Sequence, residues 1–464
     1  MKTPNKIIRT DKWRLNPTPV QKELLGKTVE VYRHACQFLV GIIYTHWSEL
    51  GELTADQLTP AVEKLMHQTA KRPSIKYPQF KKAFYKFPSY LRRAAIAFSA
   101  GQVSSFVTRY REWQSGGRKR KDAKPPKLNA DTGCYPSLYK GQCYKLHGYD
   151  QVEIKVFNGY DWVWATVEIT GLRERHLVAT NKMMSPSLVL NERSCHLSVP
   201  FTCKPEKRKP EANVTAIDLG INTTATISVV THSGTVIHRE FIHPGRDIDR
   251  RDKRLKSVSV RASKTMGKGG KLHKGFCSKT YQKCRRINTQ IGHIVSKRIV
   301  EIAEKFNSVR VAWPTALAIV FENLLGWKPK GGRKRSNLRQ RFHGWLKAKI
   351  RDFTEMKWAE LGGKIVEVVA AYSSKLAYDG SGKVKRSSKN YALATFSSGK
   401  QFNAVRVAWP TANLNGAYNI GARGVIKLTH RNGGEGRFSK NSGRPPRSWV
   451  CLCDLWAKVS PRLA

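Results

Sequence analysis

The sequence predicts an α+β chain of more than one domain: a small β-barrel interrupted by a helical block, then an α/β domain and a basic tail. Three observations carry this. Apolar spacing changes from helical over residues 20–115 to alternating over residues 140–203, the periods of helices and of half-buried strands. Beyond residue 213, continuously apolar runs close on a carboxylate, the pattern of strands buried on both faces. The length of 464 residues suits several domains at roughly 100–200 residues each.

Lys and Arg number 84 against 33 Asp and Glu, a net charge of +51. That imbalance excludes an ordinary metabolic enzyme. A hydrophobic fraction of 40% with 12 Trp excludes a disordered basic tail. A folded protein whose surfaces face a polyanion, nucleic acid first among them, satisfies both. Its binding should be steeply salt-dependent through counterion release. The first twenty residues contain no apolar core of a secretory signal. The longest apolar run, Phe38–Ile43, falls far short of the ~20 residues that span a bilayer, so no membrane partner is expected. The nine cysteines, Cys36, Cys134, Cys143, Cys195, Cys203, Cys277, Cys284, Cys451 and Cys453, are scattered and contain no Cys-x-x-Cys. They read as reduced intracellular thiols of a cytoplasmic protein.

Taken in order, Asn5–Trp13 reads as a strand that Asn16-Pro17-Thr18-Pro19 breaks. Helical spacing runs through Leu24, Val31, Phe38 and Ile42, and again through Leu58, Val62 and Leu65. A third helix is predicted from Pro88-Ser89 with Ser89 as N-cap. It carries Leu91, Ala95, Phe98, Phe106 and Tyr110 and ends near Gly116-Gly117. Arg118, Lys119, Arg120 and Lys121 then open a basic loop, the alternative being a solvated charged linker. The alternating segments Val152–Val156, Trp162–Val167 and His196–Val199, separated by Gly, Asn and Pro turns, predict a small barrel that the first strand completes. Residues 204–212 read as a charged linker.

Val214–Asp218 with Gly220 reads as a buried strand ending in an acid and a turn glycine, followed by a strand at Thr226–Val230, a Ser233-Gly234 hairpin and a strand at Thr235–His238. Strand, acid, glycine and hairpin is how an RNase H-like domain opens, although an acid closing a strand also serves structure alone. A second acid strengthens the reading: Ala318–Glu322 is another apolar strand ending in a carboxylate. Two such acids on neighbouring strands repel unless a divalent cation neutralises them. Oxygen-only donors suit Mg²⁺ or Mn²⁺, which can align a water and a phosphodiester. Between the acids lies a basic helical stretch with Arg250, Arg251, Lys253 and Arg254.

Ile217–Asn222, Phe321–Leu324 and Ala412–Ile420 resemble the three RuvC motifs of TnpB and its type V CRISPR descendants. Arg14–Thr18, Phe87–Ser89, Lys124–Lys127 and Phe342-x-x-Trp345 also fit, so the resemblance runs over nearly the whole chain. It implies a wedge-type β-barrel at 1–20 and 136–205, a helical recognition lobe at 21–135, and an RNase H-like RuvC nuclease domain at 206–426. A basic tail then occupies 427–464 and is expected to be poorly ordered. It further implies guide RNA and target DNA as partners, with transposase or CRISPR-associated components beside them. The heteroduplex backbone would lie in a basic channel.

Two departures matter. Asn413 stands where the third motif supplies Asp, leaving Asp218 and Glu322 as metal ligands and Asn413 as a neutral third catalytic position. That should weaken metal affinity and catalysis by several kcal/mol. Many relatives carry a four-Cys zinc ribbon, whereas residues 373–403 contain no Cys. A ribbon without structural zinc is expected, with Cys451 and Cys453 as structural thiols. The octapeptide VRVAWPTA occurs at Val309–Ala316 and at Val405–Ala412, and reads as a short insertion at two related places. Lys328–Arg335, including Lys330, Arg333, Lys334 and Arg335, reads as a nucleic-acid contact, and Trp327 and Trp345 as core rather than base-stacking residues. The implied activity is RNA-guided DNA cleavage. The alternatives are a nuclease-inactive guided binder, a RuvC-like resolvase or integrase without RNA, and a structural RNA-binding protein.

Overall fold

The computed structural model describes residues 6–128, 133–172, 174–191, 194–205, 213–221, 223–267, 269–307, 318–324, 344–386, 393–403, 412–429 and 450–459. Both copies of VRVAWPTA therefore lie outside the described residues, apart from the helical Ala412. Two compact units result, one of Lys6–Lys204 and one beginning at Pro205.

In the N-terminal unit a helical block is inserted after the first strand of a sheet. Strand β1 (Ile7–Asn16) stops at the proline pair and α1 (Pro19–Thr45) starts on it. A capping box fixes the start: the Gln21 N–H donates to Thr18 Oγ1 at 3.3 Å and the Thr18 N–H to Gln21 Oε1 at 2.9 Å. Short helices α2 (Trp47–Leu50), α3 (Ala55–Met66) and α4 (Gln79–Ala83) lead to α5 (Ser89–Gln114). Ser89 is the first helical residue and caps nothing. Pro88 holds the cap position, its φ of −57° being compatible with a helix start, and its carbonyl accepts the Arg92 N–H at 2.9 Å. Leu39, Val62, Leu91 and Ala95 point inward as their spacing requires, whereas Tyr110 is 39% exposed.

The strands β2 (Tyr144–His147), β3 (Gln151–Phe157), β4 (Trp162–Gly171), β5 (Lys182–Met183), β6 (Ser187–Asn191) and β7 (Ser194–Cys203) complete the sheet. Its order is β2-β3-β4-β1-β7-β5 with β6 on β7. The first strand thus lies in the middle, antiparallel to β4 (Leu15 opposite Ile169) and to β7 (Ile7 opposite Cys203). The sheet is a half-barrel where the alternation predicts a small barrel. Its inner face curls onto the helices instead: Trp13, Val152 and Phe201 share one core with Leu25, Leu39 and Ile96. Sheet and inserted helical block pack on one another within the N-terminal unit.

The C-terminal unit is built on the strands β8 (Asn213–Asp218), β9 (Ala225–Thr231), β10 (Val236–Ile242), β11 (Ala318–Asn323) and β12 (Lys364–Val369), in the order β10-β9-β8-β11-β12. The first three form an antiparallel meander, with Gly234 at φ +85° in the hairpin. β11 runs parallel to both β8 and β12. The basic stretch before β11 is two helices, α6 (Gly245–Gly267) and α7 (Ser278–Asn307). Ile217, Ile227, Ile319 and Phe321 pack on α7 and on α8 (Lys347–Glu360) through Ile291, Ile299, Ile350 and Trp358. Residues of the other parity, Ala216, Val230 and Val320, pack on α9 (Ala412–Thr429) through Leu414, Tyr418 and Val425. A Cβ at Gly424 would come within 2.6 Å of Val320 Cγ2, so this close seating of α9 requires glycine.

Residues 373–403 contain the small antiparallel sheet β13 (Lys385–Arg386), β14 (Leu393–Thr395) and β15 (Gln401–Asn403). Tyr378, Phe396 and Phe402 pack at its centre with ring centroids 4.9–5.8 Å apart. Of the expected basic tail, residues 430–449 and 460–464 lie outside the described residues, and the rest is ordered. Residues 427–429 finish α9, and a segment ending in α10 (Cys453–Val459) buries Leu452 and Leu455 in the α9 core. Few periodic apolar positions suffice because a seven-residue helix needs only one face covered. Leu452 is 1% exposed, so Leu452→Ala should cost about 2–5 kcal/mol in a urea titration of the full chain, where a disordered tail would give no change.

Candidate active site and nucleic-acid surfaces

The register of β8 and β11 builds the acidic site. Ala216 pairs with Val320 and Ile217 with Phe321, so Asp218 and Glu322 are the next residues along two parallel neighbours. Side chains alternate along a strand. Both acids therefore share the parity of Ala216 and Val320 and face α9. Asp218 is 6% exposed and Glu322 half-buried. Burial, and then the Glu322 charge, push the Asp218 carboxyl well above the usual carboxylate range, with Arg386 opposing. Burial likewise raises Glu322, against a hydrogen bond from Ser373 and the charge of Arg423. Such a pair favours protons or a cation over two bare charges.

Helix α9 closes the site. A Cβ at Gly416 would lie 2.6 Å from Asp218 Oδ2, and one at Gly220 would lie 2.6 Å from Asn413 Nδ2. Asn413 thus sits against the turn two residues past Asp218, while Gly416, three residues further along α9, meets Asp218 itself. The third position of the expected site thus lies beside the turn that follows the first. Asp218, Glu322 and the amide oxygen available from Asn413 make an oxygen-only donor set, which fits Mg²⁺ or Mn²⁺ and not zinc.

Sequence reasoning missed the clamp that holds this site. Ser373 Oγ donates to Glu322 Oε1. Asn419 Nδ2 donates to the Ser373 carbonyl at 2.9 Å, and Asn415 Nδ2 to that of Leu376 at 2.7 Å. The Arg423 guanidinium donates to the carbonyls of Val369 and Ala371 at 2.6 and 2.9 Å and to that of Val450 at 3.1 Å. All three α9 side chains are buried. The signal that could have found them is their spacing, i, i+4 and i+8 along an otherwise apolar helix, which places them on one stripe.

The Aq_aa04 family model matches residues 9–158, from β1 through the inserted helices to the end of β3. No curated protein sequence matches the chain. Among solved structures, a Cas12f1–sgRNA–target DNA complex aligns with a TM-score of 0.55 at 12% identity, over 90% of this chain and 99% of that one. The chain has the fold of the compact Cas12 effectors. The mini-RNA-guided endonuclease CRISPR-Cas_phi3 aligns at 10% identity and a TM-score of 0.43, over 89% of this chain and 92% of that one. C2c1 from Alicyclobacillus acidoterrestris, in complex with single-guide RNA, aligns at 11% identity and 0.41, over 82% of this chain and 64% of that one. At 12% identity the likeness to Cas12f1 is one of fold.

Within this Cas12-like fold the predicted basic residues divide. Arg118, Lys119, Arg120 and Lys121 are exposed after α5, with Arg118 paired to Glu112 at 2.6 Å and Arg120 over the Trp113 ring at 5.8 Å. On α6, Arg250 and Lys253 are exposed and Arg254 half-exposed. Arg251 is not a surface contact. It is 4% exposed and donates to Asp252 at 2.8 Å, Asn288 at 3.2 Å and the Gly344 carbonyl at 2.9 Å, cross-linking α6, α7 and the approach to α8. A run of charge cannot reveal which member turns inward. Lys330, Arg333, Lys334, Arg335 and Trp327 lie outside the described residues. Trp345 packs partly buried against the α7–α8 core, as expected.

Two outcomes follow. Gly416→Ala should destabilise the protein by about 1–3 kcal/mol by overpacking, whereas Gly101→Ala in α5, where nothing lies within 4 Å, should stabilise it by about 0.5–1 kcal/mol; denaturant midpoints of both variants check this. Both acids titrate higher in the folded chain than unfolded, so the native state holds the extra protons and stability falls as pH rises from the ordinary carboxylate range through the raised values. In chelator, the unfolding free energy of Asp218→Asn minus that of the parent, from urea titrations, should therefore increase with pH, by up to about 1.4 kcal/mol per pH unit between the ordinary carboxylate range and the raised one.

Proposed function

We propose that this chain is an RNA-guided DNA-binding protein of the TnpB and type V effector lineage whose C-terminal unit is an RNase H-like domain of RuvC type. The carrying observation is the meeting of Asp218 and Glu322 on one face of two parallel strands in a chain of net charge +51. An antiparallel meander followed by parallel strands, with acids on the first and fourth strands in sequence, supports the RNase H-like reading. Likeness of fold to Cas12f1 solved with sgRNA and target DNA supports guide RNA and target DNA as partners. The half-barrel then serves as the wedge and the inserted helices as the recognition lobe. Arg118–Lys121 and the exposed face of α6 meet phosphates, the lysines as point charges and the arginines through their planar forks. Transposase or CRISPR-associated components are the further partners this lineage implies.

Asp218 and Glu322 would hold Mg²⁺ or Mn²⁺, with Asn413 offering one neutral oxygen. Such a cation, when bound, lowers the pKa of a water and neutralises charge on a phosphodiester. The chain's own part is to orient: Ser373 fixes the Glu322 carboxyl, Asn419 holds the Ser373 carbonyl, and Arg423 holds the carbonyls of Val369 and Ala371 just before it. A second reading, a guided binder that does not cut, is favoured by one observation, the Asn at position 413.

The test uses full-length protein purified without nuclease treatment. Bound RNA, and target DNA cleavage in Mg²⁺ or Mn²⁺ that falls at least about a hundredfold in Asp218→Ala, meet the proposal, several kcal/mol of barrier being at stake. Cleavage that emerges only with Asn413→Asp establishes the binder reading. Absence of RNA overturns both.

A further inference from the structure

A second group of metal-ligating side chains lies apart from the acidic pair, in the segment Val450–Asp454. Cys451 Sγ and Cys453 Sγ are 3.1 Å apart, and Asp454 Oδ2 lies 3.5 Å from Cys451 Sγ. One ligand atom from each of the three falls within 4.8 Å of the others. The turn that gathers them is held from several sides. The Cys451 N–H donates to Asp454 Oδ2 at 2.8 Å, folding the carboxylate back over the thiols. The Leu452 N–H donates to Asn419 Oδ1 at 3.1 Å, and the Cys453 N–H to the Tyr378 carbonyl at 2.9 Å. Leu452 and Leu455 anchor the flanks in the α9 core. Across the thiols stands Gly380, at φ +77°, where a Cβ would come within 2.7 Å of Cys453 Sγ. Cys451 is buried while Cys453 and Asp454 are half-buried, so the group opens to solvent on one side.

We propose that Cys451, Cys453 and Asp454 form a zinc site in the turn that opens α10, packed beside the Tyr378–Gly380 turn. Two thiolates and one carboxylate are a soft donor set that selects Zn²⁺ over Mg²⁺, the reverse of the oxygen-only set at Asp218 and Glu322. Zn–S bonds of about 2.3 Å at a tetrahedral angle place two sulfurs roughly 3.8 Å apart, so the thiols open by roughly 0.7 Å on binding. Both thiols release their protons to solvent, and water takes the fourth position. The short Cys-x-Cys spacing, which argues against zinc when four cysteines are sought, is compatible here because the third ligand is the carboxylate one residue on.

The experiment is metal analysis of the full-length chain under reducing conditions, with Zn²⁺ or Co²⁺ added and excess removed. One equivalent of zinc, and the thiolate-to-cobalt charge-transfer band on Co²⁺ substitution, are expected. Asp454→Asn should lower zinc affinity by about tenfold or more and Cys453→Ser should abolish the site, both residues being half-buried and so tolerant of replacement. Asp218→Ala with Glu322→Ala should leave zinc content unchanged, which keeps this test independent of the proposed nuclease site. Zinc retained in Cys453→Ser, no zinc in the parent, or a thiol count showing Cys451 and Cys453 joined as a disulfide would each overturn it.

Discussion

Everything at the acidic site depends on one constraint, the parallel pairing of β8 with β11. Had these strands paired antiparallel, the residues ending them would lie at opposite ends of the strand pair. Paired parallel, with Ile217 beside Phe321, the chain is obliged to bury two carboxylates side by side. Two like charges at such separation are costly in a low-dielectric setting, and the cost persists only where surrounding packing supplies it. That packing is abundant: two cores, one on each face, cover the sheet with residues such as Ile217, Phe321, Val320 and Leu414, largely inaccessible to solvent. Burial on both faces is also why β8 and β11 read as unbroken apolar runs.

Helix α9 converts that constraint into a defined geometry. Along one side it carries Gly416 and Gly424, whose missing side chains let it approach Asp218 and Val320. Along another it carries Asn415, Asn419 and Arg423, which hold the chain between β12 and β13 and the segment before α10. The residue that donates to Glu322, Ser373, belongs to that held chain. Orientation of one carboxylate thus passes through backbone carbonyls to a helix more than forty residues further along. Buried amide and guanidinium donors that find every acceptor stiffen a structure, while a partly satisfied set weakens it.

How much of this the residues announce varies with the physics. Acids at strand ends were legible because burial imposes an apolar run and the run's end is visible, so Asp218 and Glu322 emerge from local pattern alone. The place of β1 in the sheet was legible from its alternation. Barrel closure was not, since alternation specifies a face to bury and says nothing of whether strands or helices cover it; here Leu25 and Leu39 do. Arg251 looked like its neighbours because inward orientation depends on Asn288 and Gly344, distant in sequence. The α10 anchor was hidden by brevity. The fit of Leu452 and Leu455 is set by the α9 core they enter, not by any period of their own.

The amide at position 413 acts on the site in two opposed ways. A third carboxylate against Gly220 would join two that burial already raises, Asp218 further so by the Glu322 charge, adding repulsion that the folded, cation-free chain would have to bear. A neutral amide removes that repulsion, so the site closes with less dependence on a bound ion. The same neutrality would leave one negative charge fewer to hold any cation placed there, and with it much of the advantage of folding around that ion would go. Occupancy then depends more heavily on the two remaining acids, and on the orientation that Ser373 gives to one of them. A site of this composition can keep its shape when empty, a property that suits holding a nucleic-acid strand at least as well as cutting one.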